Sequence, residues 1–240
     1  MEAKMTKQVV IPLSRCDSTM LLSVPAYFEE FMDIAAEHAE ALGVGAAAMM
    51  KNGRFWLTAK TMVRFFRRPG YGEKVEISTW PEAPERFRCN RDYAMTKGDE
   101  VLALGKTEWA VMSTATGRLE NTENIYPASI SLCTELACPE AFSRIEGPFE
   151  GEPFAVHKVV STDIDLGGHM NNAAYVRAIA GAFTCKEWND ISLSRMEVIY
   201  RAPCFEGNEL QFRSSKKEDG MEISATLPDG KLILLSRLYF

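Results

Sequence analysis

The chain has 240 residues, of which 46% are hydrophobic, 25% charged and 10% aromatic. A chain of this length buries roughly 70 to 75% of the surface its unfolded form exposes, so the core needs no disulfide or metal staple, and a near-average composition excludes collagen-like and disordered classes. A formal net charge of −6 supplies no whole-surface attraction for nucleic acid or an anionic membrane, because both need a positive field.

The first twenty residues hold no apolar run long enough for a signal-peptide core, and nowhere do about 18 uncharged apolar residues follow one another. The expected compartment is therefore the cytoplasm. The six cysteines, Cys16, Cys89, Cys133, Cys138, Cys185 and Cys204, contain no C-x-x-C pair and read as reduced thiols.

The first helix is bounded at both ends. Ser23 and Pro25 open it, Tyr27, Phe28, Phe31, Met32, Ala35, Ala39 and Leu42 recur at helical spacing, and Gly43 stands just past the end. Strands follow over 54–67, 74–81, 87–96 and 100–113, separated by Pro69-Gly70, Pro84 and Lys97-Gly98-Asp99. Between 116 and 153 Asn, Glu, Gly and Pro accumulate around a short helix predicted at 134–144. A second long helix is predicted over 172–188, where Tyr175, Ile179 and Phe183 form an i, i+4, i+8 stripe. Strands over 195–201, 209–216, 221–227 and 231–240 close the chain, joined by Gly207-Asn208, Asp219-Gly220 and Asp229-Gly230, which are turn pairs of hairpins.

The halves repeat one another. Asp17 precedes Tyr27 by ten residues, as Asp165 precedes Tyr175, and Tyr71-Gly72-Glu73-Lys74-Val75 parallels Glu206-Gly207-Asn208-Glu209-Leu210. The expected division is an N-terminal repeat at 1–118, a crossover at 119–153 and a C-terminal repeat at 154–240. Each repeat is a strand, a long helix and a run of antiparallel strands, and the helix is the element available to cover the apolar face of the curved sheet. Exposed edge strands give the two sheets a reason to pair inside one chain.

The stretch richest in chemistry runs from Ser161 to Tyr175. Asp165, Gly167, Gly168, His169, Asn171 and Asn172 stand directly before a helix. Glycines let a backbone approach a ligand, N–H groups at a helix start can meet a developing oxyanion, and Asp165 or His169 can activate water. Thioester hydrolysis needs these parts. A plainer reading makes Asp165 and Asn172 caps, the glycines a turn and His169 a hydrogen-bonded structural residue. The positions matching Gly167, His169 and Asn171 in the first half are Thr19, Leu21 and Ser23, so capping alone does not demand the polar set.

This segment resembles the acyl-acyl-carrier-protein thioesterases, a family of tandem hot-dog hydrolases of fatty-acid synthesis, and the resemblance extends over nearly the whole chain. Its further marks are the strand 196–204 before Gly207-Asn208-Glu209, and Trp56-Leu57-Thr58, Thr79-Trp80-Pro81, Arg91-Asp92-Tyr93, Trp109 and Thr116-Gly117-Arg118. It implies an α+β tandem (double) hot-dog, two long helices each wrapped by a curved antiparallel sheet, with a first repeat that shapes the acyl pocket and a second that is catalytic. It implies a thioester hydrolase acting on a fatty acyl thioester of acyl carrier protein, with no cofactor and no metal; a homodimer is compatible with it. Asp165 matches the family's essential aspartate, His169 its histidine, and Asn171 and Asn172 its paired asparagines. Two positions depart: Gly167 stands where the family usually has Asn, and Pro203 where it commonly has Glu. Cys204 matches the cysteine beside that Glu in plant members. The expected catalytic set is Asp165, His169, Asn171 and Gly168. Asp165 would activate water or attack the carbonyl, and N–H groups around Gly168 and His169 would hold the oxyanion. An acyl-coenzyme A thioesterase of the same fold, or a catalytically weakened acyl-binding protein, remain alternatives.

Other signals are weaker. Gly43-Val44-Gly45-Ala46-Ala47-Ala48 fits G-x-G-x-x-A but follows a helix instead of a strand. His38, His157 and His169 lack metal-ligand spacing. Arg64, Arg67, Arg68, Arg86, Arg88 and Arg91 could meet an acidic carrier or form a solvated face. Trp56, Phe65, Phe66, Trp80 and Phe87 could line an acyl pocket or fill the core. Cys204, among apolar neighbours, reads as core in preference to a nucleophile.

Overall fold

The structure is a computed structural model that describes residues 3–240. The first half runs β1 (Met5–Val10), α1 (Val24–Ala41), α2 (Ala46–Lys51), β2 (Arg54–Phe65), β3 (Lys74–Pro81), β4 (Cys89–Lys97) and β5 (Glu100–Ser113). The second runs β6 (Ala155–Lys158), α3 (Asn172–Gly181), α4 (Cys185–Asp190), β7 (Arg195–Tyr200), β8 (Glu209–Lys217), β9 (Gly220–Thr226) and β10 (Leu232–Tyr239). All ten strands form one antiparallel sheet in the order β1-β3-β4-β5-β2-β7-β10-β9-β8-β6. Each half has the same order read outward from the seam, where β2 pairs with β7 from Lys60↔Ile199 to Arg64↔Arg195. That seam is the edge pairing expected from the sequence, and the whole is the tandem hot-dog.

The helices lie on one face of the sheet. Ser23, extended, precedes α1, Pro25 fixes its first turn, and Gly43 leaves it at φ 75°. Its buried stripe includes Tyr27, Phe28, Phe31, Ile34, Ala35 and His38. Phe31 stacks on Tyr93 with ring centroids 4.8 Å apart and 12° between planes. Gly105 on β5 makes this approach possible: a Cβ there would lie 2.7 Å from the Phe31 ring. α1 and α3 pack side by side, tied at the surface by Arg177 Nη1 donating to Glu29 Oε1 at 2.5 Å.

Three sequence expectations need correction. Gly207-Asn208 turns no hairpin, because β7 pairs with β2 and β10 whereas β8 pairs with β9 and β6. The helix predicted over 172–188 is two helices, because Thr184 and Glu187 form a reciprocal capping box that starts α4 afresh after α3 ends at Gly181. The short helix predicted at 134–144 does not form. That segment is extended across the opposite face of the sheet, where buried side chains take its backbone groups. Trp80 Nε1 donates to Glu135 O at 2.8 Å, Lys106 Nζ to Cys138 O and Glu140 O, Ala137 N to Asp92 Oδ2 at 3.2 Å, and Ser143 N to Glu197 Oε2 at 2.7 Å. These tertiary partners replace the intrahelical bonds, and Pro139 could not have continued them.

Asp92 carries a pH signature. It sits opposite Lys106 in the β4–β5 register, fully buried beneath the crossover, and burial, reinforced by Glu82, pushes its carboxyl from the ordinary 3.8 to about 7. An acid whose folded value is raised stabilises the fold below its unfolded value, and that contribution is lost as pH rises through the folded one. We therefore expect the melting temperature to fall between pH 4 and pH 7 in the wild type, and Asp92→Asn to flatten that slope in a thermal-melt series across the window. A slope unchanged by Asp92→Asn would assign the titration elsewhere.

Candidate active site

The loops before α1 and α3 are copies of one turn. Each begins with a 3₁₀ turn, at Leu13–Arg15 and Ser161–Asp163. Asp17 N donates to Leu21 O at 2.9 Å and Asp165 N to His169 O at 3.0 Å. Leu22 N reaches Pro69 O at 2.8 Å, as Met170 N reaches Cys204 O at 2.7 Å. The left-handed position falls on Met20 at φ 61° and on Gly168 at φ 74°. In both, the aspartate's Oδ1 accepts the amide two residues on, Thr19 N at 2.9 Å and Gly167 N at 2.7 Å. Asp165 thus closes an Asx turn instead of capping the helix as the plainer reading has it, and that turn accounts for one oxygen of each carboxylate.

The other oxygen separates the two loops. Oδ2 of Asp17 is held by the Arg68 guanidinium, and hydrogen bonds from Thr19 and that cation outweigh burial to keep the carboxyl below its usual range. Arg68 directly precedes Pro69, just as Pro203 directly precedes Cys204, so the position that closes the first aspartate is uncharged in the second. Oδ2 of Asp165 has no hydrogen-bond partner among the described residues. The Asp165 side chain is 28% exposed, and its nearest ionisable neighbour is His169, Nδ1 to Oδ1 at 3.6 Å.

Gly167 explains how His169 comes this close. A Cβ on residue 167 would fall 2.8 Å from His169 Nε2 and 3.1 Å from Asp165 Oδ1. The imidazole thus occupies the space a side chain at 167 would need. Gly168 does not serve as expected: its N–H donates to Asp165 O at 3.0 Å. The amides of His169 and Asn172 make no hydrogen bond with any described residue and are the available donors. Asn171 caps α3, its Oδ1 accepting Ala173 N at 2.8 Å, so the cap falls on Asn171 instead of Asn172. Asn172 faces the other half, its Nδ2 donating to Thr58 Oγ1 at 2.8 Å.

Some supporting residues escaped the sequence reading. Asp163, buried, pairs through Oδ2 with His157 Nε2 at 2.9 Å and accepts Asn171 N on its carbonyl at 2.8 Å, bracing the loop from behind. Nothing in sequence separates these two from ordinary surface residues. Cys204 is fully buried with its Sγ 3.5 Å from Asn208 Oδ1, and burial raises its thiol pKa, which argues against a nucleophile.

Thr58 leads to a cavity. Two residues along β2, Trp56 lines a space of about 200 Å³ with Met32, Ala35, Val44 and Trp109. The two indoles meet edge to face, 6.2 Å between centroids, and Trp56 Nε1 is fixed by Val44 O at 2.7 Å. Of the five aromatics proposed for a pocket, Trp56 alone lies here. Strand alternation turns Trp80 to the opposite face under the crossover, Phe65 packs on Tyr27 at 5.0 Å, and Phe66 and Phe87 are exposed. The six arginines form no common basic face either. Arg64, Arg67, Arg68 and Arg88 pair with carboxylates, Arg86 lies over Phe87, and Arg91 is buried. Among the described residues no three His, Cys, Asp or Glu side chains gather to hold a metal, and no helix is long and apolar enough to cross a membrane.

Comparison with known proteins identifies a family. Residues 2–128 match the family model of the acyl-ACP thioesterase N-terminal domain, and residues 150–230 that of the C-terminal domain. A chloroplastic oleoyl-acyl carrier protein thioesterase of Coriandrum sativum is 23% identical over 191 residues, covering 72% of this chain and 52% of that protein. The chain thus spans about half the length of the curated relatives it matches. Among solved structures, an acyl-ACP thioesterase from Bacteroides thetaiotaomicron superposes with a TM-score of 0.90 at 22% identity, over 99% of this chain and 98% of that one. A 12:0-ACP thioesterase from Umbellularia californica gives 0.83 at 18% identity, over 99% and 96%.

Proposed function

The chain belongs to the acyl-ACP thioesterase family, and from that premise we propose that it hydrolyses fatty acyl thioesters carried on acyl carrier protein, with 154–240 supplying the chemistry and 1–118 the acyl pocket. The observation that carries this reading is the open oxygen of Asp165, beside a closed counterpart at Asp17. Identical turns need identical caps, so the difference between them calls for a chemical reason.

In this mechanism a water on Asp165 Oδ2 gives its proton to the carboxylate as its oxygen bonds to the thioester carbon. The carbonyl pair moves onto oxygen, where the N–H groups of His169 and Asn172 receive it at the start of α3. Collapse breaks the C–S bond, and the proton passes to the departing thiolate, leaving free acid and thiol. His169 orients the carboxylate and the water. The tail enters the cavity past Thr58 and Trp56.

Carrier preference is tested by thiol release from matched acyl-carrier-protein and acyl-coenzyme A substrates. We expect the protein-bound substrate to give the higher kcat/KM; equal values would remove the carrier from the reading and leave the hydrolysis.

Gly167→Ala tests the pairing of His169 with Asp165. Residue 167 lies outside the left-handed region, so alanine brings no backbone strain and acts by displacing the imidazole. We expect kcat to fall by about 10- to 100-fold, the order of cost for a misplacement near 1 Å, with an unchanged melting temperature. Full activity in Gly167→Ala would mean that the observed approach of His169 has no part in turnover.

A further inference from the structure

The cavity has a cationic wall that hydrolysis does not use. Arg91 lines it and is only 4% exposed. Its Nη1 donates to Nδ1 of His38 at 3.0 Å and to Oγ1 of Thr79 at 3.2 Å. No carboxylate of a described residue forms an ion pair with this guanidinium. Glu40, the carboxylate on the cavity wall, is exposed at the rim and lies against Gly45, where a Cβ would come within 2.0 Å of its Cδ. Tyr126 also lines the cavity, and burial pushes its phenol up to about 12 against the opposing pull of Arg91, so it stays a neutral donor. Arg91 belongs to β4, two strands from β2 in the sheet order, which puts it about 10 Å across the sheet from the Thr58 strand at the usual strand spacing.

A buried guanidinium is costly unless hydrogen-bond acceptors meet it. An alkyl end laid against Arg91 would displace water from the cation and return nothing. An oxygen at the same place would accept from it. We propose that Arg91 is a specificity-determining residue of the acyl pocket, disfavouring saturated tails long enough to reach it and favouring tails of that length that carry an oxygen at the far end. The inference rests on the acyl-pocket reading above and adds the chemical class of the tail.

The test compares saturated acyl-carrier proteins of increasing chain length with their terminally hydroxylated counterparts, on the wild type and on Arg91→Met. In the wild type, kcat/KM for saturated tails is expected to drop by about 10- to 100-fold at the length that reaches the guanidinium, the order of cost of a buried polar group left without a partner. The terminal hydroxyl restores it at that length, and Arg91→Met removes both the drop and the rescue. Where Arg91→Met fails to fold, the hydroxyl comparison on the wild type alone decides, and Tyr126→Phe is expected to weaken the rescue. Displacement of a fluorescent fatty acid by free fatty acids and by their terminal hydroxy acids reads the same wall without turnover. A hydroxy-acid preference in a protein that hydrolyses nothing would overturn the thioesterase reading and keep this one. Absence of any hydroxyl advantage at every length, in both turnover and displacement, overturns the role of Arg91.

Discussion

Asp165→Asn is expected to lower kcat for hydrolysis of the acyl-carrier-protein thioester by about 10³-fold, within the usual range for loss of a positioned base, while the unfolding free energy stays within about 0.5 kcal/mol of the wild type, as for surface changes that keep their contacts. The carboxamide retains an oxygen for Gly167 N, which donates to Oδ1 at 2.7 Å, so the turn survives and the proton acceptor is lost. The matching change in the first half supplies the contrast. Asp17→Asn discards the ion pair with Arg68, and it should lower the melting temperature with kcat intact. A swap of these outcomes would place the chemistry at the wrong repeat.

The second large effect is on stability. Phe31→Ala is expected to cost about 3 to 5 kcal/mol, the range for emptying a buried aromatic site, and to lower the melting temperature by about 10 °C at the scale of a chain this long. Phe31 is 1% exposed, stacks on Tyr93, meets Tyr27 at 6.5 Å and fills the space above Gly105. Gly105→Ala should cost about 1 to 3 kcal/mol by overpacking. Because the new Cβ collides with the ring that Phe31→Ala removes, the double variant should lose less than the sum of the singles. Strict additivity in urea or thermal unfolding would show that the glycine is tolerated by a shift of the strand instead.

The elements were legible wherever local chemistry decides them. Ser23, Pro25 and Gly43 bound α1, and the hairpin turns bound β8 to β10, because capping and left-handed positions depend on the residues themselves. The failures lie where distant partners decide. The segment 134–144 is held extended by Trp80, Asp92, Lys106 and Glu197, none of them near it in sequence. Tyr175, Ile179 and Phe183 keep helical spacing across the end of α3, a break that the Thr184–Glu187 box makes.

The site divides the same way. Asp165 to Tyr175 stood out as a polar set before a helix, and the first repeat showed that capping did not require it. The engagement of Gly168 N with Asp165 O, the support of Asp163 by His157, and the link from Asn172 to Thr58 are contacts of folded loops that no spacing rule announces. Pro203 was a departure in sequence. In space it is the uncharged position that leaves Asp165 open, where Arg68 closes Asp17. Trp109 and Tyr126 joined the cavity from a strand and a loop whose periodicity says nothing about which face meets α1.

The most direct measurement is a single turnover of acyl-carrier protein by excess enzyme in ¹⁸O-labelled water, followed by mass spectrometry of the released acid and of the peptide containing Asp165. Water activated by the carboxylate predicts one labelled oxygen in the fatty acid from the first turnover and none in Asp165. No released acid would contradict the thioesterase, and an unlabelled acid with label in Asp165 would contradict the aspartate as base.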